Sequence, residues 1–103
     1  MLRITIQHQA PVTSFIVEGK LVGLWVKELE KCWENVLAAD PSRAMVVNLA
    51  GVTFIDSEGQ ALLTRMRRQG VRLLSTGLLI NAIVAEIEAE MEQQEEYVNF
   101  KQD

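Results

Sequence analysis

An α/β fold, a four-stranded mixed β-sheet with three α-helices in the order ββαβαβα, is predicted for this chain by three observations. Two β-rich runs open the sequence with only a few residues between them. The apolar positions then switch to three- and four-residue spacing, the mark of a helix, and the first two helical patterns are each followed by a short strand-like run. Strands alternating with helices imply parallel pairing through crossovers, and an opening hairpin adds one antiparallel strand.

The elements follow from their residues. "LRITIQ" (2–7) and "VTSFIVEG" (12–19) are rich in β-branched side chains and are separated by "HQAP", where the proline suits a connection. From "LVGLWVKELEKCWENVLAAD", Val22, Trp25, Val26, Leu29, Cys32, Trp33, Val36 and Leu37 form an apolar stripe, and Lys27, Glu28, Glu30, Lys31 and Glu34 fill the other side. The "DP" that follows ends this helix, because proline disfavours the helical conformation in the residue before it. "AMVVNLAG" (44–51) is a short, nearly continuous apolar run, as expected of a central strand covered on at least one face. A second helix is predicted in "DSEGQALLTRMRRQG", a strand in "VRLLS", and a third helix in "TGLLINAIVAEIEAEM", where Leu79, Ile80, Ile83, Val84 and Ile87 recur at helical spacing.

Composition narrows the function classes. A chain of 103 residues with 49% hydrophobic content can bury one core, so a single domain is expected over residues 1–88. Residues 89–103 form an acidic C-terminal tail that either extends the last helix or packs locally through Tyr97, Val98 and Phe100. Seven acids against one lysine in residues 86–103 leave that segment at −6, and with −4 for the whole chain residues 1–85 carry +2. A pI near 5.0, with no aromatic beside the arginines, argues against a nucleic-acid partner. One cysteine, Cys32, and one histidine, His8, cannot build a disulfide framework or a Cys/His zinc cluster, so the chain reads as intracellular and metal-free. The N-terminus lacks the order of a secretory signal, and the longest apolar stretch, "AMVVNLAGVTFI", is too short to span a bilayer, so no direct membrane insertion is expected.

The chemistry-bearing residues concentrate in "VTFIDSEGQALL". Ser57 and Gln60 stand in the S-x-x-Q arrangement of a capping box, in which hydroxyl and amide satisfy the first free N–H groups of a helix. Glu58 falls in the first turn, where the helix dipole favours negative charge by roughly 0.3 to 1 kcal/mol. Asp56 suits a turn residue bonding its own backbone, and Gly59 permits close approach of the backbone, either to a ligand or to the preceding strand. Exposed N–H groups at a helix start can also hold an anion, which leaves a small nucleotide- or anion-binding protein open as a reading. Asp56 and Glu58 have no second histidine, activated nucleophile or phosphate-cradling glycine loop beside them, so catalysis is not expected and no cofactor is implied.

"GKLVG" before the first helix, "MVVNLAGVTFIDSEGQALL" across the third strand and second helix, and "GVRLLSTGLLINAIVAEI" after it resemble the STAS domain. That fold is shared by bacterial anti-sigma-factor antagonists and by the cytoplasmic tails of sulphate transporters, and the likeness covers residues 2–88. It implies a cytoplasmic, bacterial, non-catalytic module that switches between protein partners, with an anti-sigma factor or serine-kinase-like protein as partner and a homodimer left open. "FIDSEG" is similar to the family pattern of aspartate, serine, serine or threonine, and glycine. In that pattern the hydroxyl residue immediately before the glycine is phosphorylated by the partner kinase, and the phosphate abolishes binding. Here Glu58 occupies the position, and a carboxylate accepts no stable phosphoester, yet it carries about one negative charge where phosphoserine carries about 1.5 to 2. The resemblance therefore implies Asp56, Ser57, Glu58 and Gly59 as the partner-binding site, with Glu58 either mimicking the phosphorylated state or serving only the helix start. It also admits a role as the cytoplasmic accessory subunit of a membrane transporter.

Outside this segment the expectations are structural. Arg65, Arg67, Arg68 and Arg72 fall where cations complement a helix C-terminus, with docking of an acidic partner or of the chain's own tail as the other reading. Trp25, Cys32 and Trp33 are expected in the core, and His8 is expected to be exposed near a turn.

Overall fold

The computed structural model describes the backbone of residues 1–102 and the side chains of residues 1–91. Its elements are β1 (Leu2–Gln9), β2 (Val12–Leu21), α1 (Leu24–Ala39), β3 (Ala44–Ile55), α2 (Ser57–Arg68), β4 (Arg72–Leu74) and α3 (Leu78–Gln102), in the predicted order. The strands lie side by side in sequence order. β1 runs antiparallel to β2, while β2 with β3 and β3 with β4 are parallel.

All three helices form one layer. α1 touches α2, α2 touches α3, and the layer rests on β2 and β3. Along β2, Thr13, Phe15 and Val17 are buried, whereas Val12, Ser14 and Ile16 are half-buried and Glu18 is exposed, so the second face of the sheet is open. The core between sheet and helices contains Phe15, Leu21, Leu29, Leu49, Leu63, Met66 and Ile87. Arg43 Nε donates to the buried Thr13 hydroxyl, which lies 3.0 Å from the Nδ1 of the exposed His8.

Several boundaries differ from the sequence-based expectation, each for a local reason. β3 continues four residues beyond Gly51, to Ile55. Its pairing with β2 shifts register twice, between Ile16 and Glu18 and between Gly19 and Lys20. Ala50 N–H turns to the Asn48 side chain, and a side chain at Gly51 would lie 2.8 Å from Glu18 Cγ, so glycine here marks an irregularity within the strand rather than its end. β4 keeps only three residues. Leu29 and Trp33 are buried as expected, but Trp25 and Cys32 only lean against the core, and Leu79 is exposed. The α3 backbone runs through the acidic segment to Gln102, while the expected packing of Tyr97, Val98 and Phe100 lies outside the described side chains.

Candidate regulatory site at the start of the second helix

The parallel strands β2 and β3 end at the same edge, and each feeds a helix there. Ile55 is the last buried residue of β3, and Asp56 N–H still donates to Leu21 O at 3.2 Å before the chain turns into α2. Asp56 itself is extended (φ −84°, ψ −179°). Its Oδ1 accepts from Gly59 N–H at 2.7 Å, and its carbonyl accepts from Gln60 N–H at 2.9 Å. Asp56 is therefore the N-cap.

This corrects the capping box expected at Ser57 and Gln60. Ser57 is the first helical residue, and its side chain is exposed. The physical reason is a one-residue ambiguity: aspartate and serine are both strong caps, and the residue that leaves the sheet first takes the role. Asp56 also reaches further than a local turn residue does. Its Oδ2 accepts from Gly23 N–H at 3.0 Å, and Gly23 is the residue that precedes α1. Gly23 sits at φ 53° and ψ −126°, a conformation suited to glycine, and α1 has no side-chain cap of its own. One carboxylate thus ties together the starts of two helices. The sequence signal was "GKLVG", but nothing in it reveals a partner 33 residues away.

Gly59 is buried, and its lack of a side chain serves packing. A Cβ there would stand 2.7 Å from Leu21 O and 2.9 Å from Ile55 Cγ2. The first turn of α2 therefore lies directly on the end of the sheet. Ser57 and Glu58 point the other way and are both exposed. The motif splits into two anchoring residues, Asp56 and Gly59, and two presented ones.

The surroundings of the presented pair are mixed. Leu24, next to Gly23, is 76% exposed, and Phe54, paired with Lys20, is 47% exposed, so uncovered apolar side chains flank the loop; the sequence pattern did not single these out. A shallow groove of about 480 Å³ runs from Ser57 past Gln60, Ala61 and Thr64 to Arg65, Arg68 and Glu90. Arg65 pairs with Glu30 of α1, and Arg67 Nε donates to Glu88 of α3 at 2.7 Å. These arginines tie α2 to its neighbours, each exposed pair contributing at most about 1 kcal/mol. Burial, with the nearby Glu28 adding to it, pushes the Cys32 thiol above its ordinary range, which disfavours the reactive thiolate. No helix among the described residues is long and apolar enough to cross a membrane.

Comparison with known proteins agrees with this architecture. A family model for the STAS domain matches residues 3–95. An anti-sigma factor antagonist from Mycobacterium paratuberculosis has a similar solved structure, with TM-score 0.67 and 22% identity over 75% of this chain and 69% of that one. A DUF3478-family protein with a SpoIIAA-like fold, from Shewanella loihica PV-4, aligns with TM-score 0.53 and 14% identity over 76% of this chain and 69% of its own. A third structure, that of Mglu, aligns with TM-score 0.56 and 19% identity over 72% of this chain but 19% of its own. No curated protein sequence matches the chain.

Proposed function

The chain belongs to the STAS family, and on that footing we propose that it acts as a non-catalytic, cytoplasmic regulatory module that binds protein partners through the start of α2. The observation that carries this reading is the division of labour within "DSEG". Asp56 and Gly59 are consumed by the fold, while Ser57 and Glu58 are held out to solvent at a rigid helix start. In the family pattern the side chain before the glycine is where a kinase writes a phosphate that a partner reads. Glu58 stands there and supplies a permanent, smaller negative charge. On this reading the protein rests in the phosphorylated-like state, with weak affinity for an anti-sigma factor or serine-kinase-like partner of the partner-switching type.

An anion-binding role finds less support in the same geometry. Asp56 already occupies the Gly59 N–H that an anion would take, and Glu58 adds negative charge to the same turn. The test is a pull-down from the native cell extract with the full chain, native and as Glu58→Gln, followed by titration of the captured protein against both. The neutral variant is expected to bind at least about fivefold more tightly, the equivalent of ~1 kcal/mol. Equal affinities would leave Glu58 as a helix-start residue only.

A further inference from the structure

The two edges of the sheet are built differently. β4 is three residues long, and Gly70 and Gly77 lie just outside it, so it offers little backbone for pairing. β1 spans eight residues, pairs with β2 from Leu2↔Gly19 to Gln9↔Val12 without a register shift, and contains no proline and one charged residue, Arg3. Natural edge strands are normally guarded by lysines, prolines, bulges or brevity, because alternate residues leave N–H and C=O groups unpaired along the outer side. Apart from Arg3 near one end, β1 carries none of these guards. Ile6, on the helix side of the strand, is 37% exposed.

We infer that β1 pairs antiparallel with β1 of a second copy of this chain, giving a continuous eight-stranded sheet about a two-fold axis. The register follows from the side chains. Opposite residues of an antiparallel pair share a face, and keeping both helix layers on one side requires even-numbered residues to meet even-numbered ones. Centrings on Thr5 and on Ile6 both pair seven residues of each strand; we take Thr5 because it keeps the apolar Leu2 in the ladder and sets Ile4 against Ile6, Arg3 against Gln7, and Thr5 against its own copy. Ile6 then gains an apolar neighbour, no like charges meet, and Thr5–Thr5 is a favourable cross-strand pair. The partner read at Glu58 is independent of this contact, since Glu58 belongs to the helix that follows β3 rather than to the β1 edge.

Thr5 is half-buried on the open face, so charged replacements leave the core untouched. The experiment is sedimentation equilibrium of the full chain, native and as Thr5→Lys and Thr5→Glu, with the thermal unfolding of each recorded. The native chain is expected to sediment as a dimer. Each variant is expected to associate at least about tenfold more weakly, because like charges face each other on the axis. A mixture of the two variants is expected to recover the dimer mass through Lys–Glu pairing. A native chain that stays monomeric up to about 1 mM, the weak limit of specific association, overturns the inference. So does a dimer that persists unchanged in folded Thr5→Lys and Thr5→Glu.

Discussion

The helices that follow β2 and β3 start at the same end of the sheet but are secured by different means. α1 begins at an uncapped glycine and is held by what it buries, chiefly Val26, Leu29 and Trp33. α2 begins with a built cap, Asp56, and a glycine pressed against the sheet, and it buries Leu62, Leu63 and Met66 in turn. The first start is secured by packing and borrows its one side-chain contact from the second. On the proposed reading this contrast suits the second start to be read by a partner: its geometry is fixed from beneath, and the side chains of Ser57 and Glu58 are exposed without holding the fold.

Substitutions separate the two modes. Leu29→Ala is expected to cost about 2 to 5 kcal/mol, the range for a large-to-small change in a filled core, and chemical denaturation measures it. An unchanged midpoint would mean that α1 is not held by packing. Gly59→Ala should cost about 1 to 3 kcal/mol, because the new methyl group meets a backbone carbonyl that cannot step aside. Asp56→Ala should cost about 1 to 2 kcal/mol as a lost cap. Its sharper signature is in hydrogen exchange, where the amides of Gly23 and Gly59 should lose protection together although they start different helices. Loss at Gly59 alone would show that Asp56 serves only its own helix. Glu58→Gln should cost no more than about 1 kcal/mol, the helix-dipole contribution of an exposed acid, and Ser57→Ala should stay within about 0.5 kcal/mol.

These effects also mark what could be read from residues alone. The order of elements was legible because each carries its own period; the hairpin followed from the short first connection and the parallel pairs from the alternation of strands with helices. β3 was read too short because Gly51 looks like a stop, whereas its role depends on Glu18 of a neighbouring strand. At the start of α2, the expected capping role of Ser57 passes to Asp56. Local pattern cannot choose between Asp56 and Ser57 as cap, since that depends on where the chain leaves the sheet. It cannot show the bond from Asp56 to Gly23 either, because that contact joins segments 33 residues apart. The boundary proposed at residue 88 rests on charge pattern and on the extent of the family likeness, and the matching family model runs on to residue 95. A chain truncated after Glu88 should keep a single cooperative unfolding transition, and loss of cooperativity would place the acidic segment within the folded unit.

The most direct measurement of Glu58 as a standing substitute for phosphate uses Glu58→Ser before and after phosphorylation by the cognate kinase. The affinities of both forms for the captured partner are compared with that of the native protein. The native chain is expected to match the phosphorylated form, with the unphosphorylated variant binding at least about fivefold more tightly. A native chain that instead binds like unphosphorylated Glu58→Ser would contradict the claim.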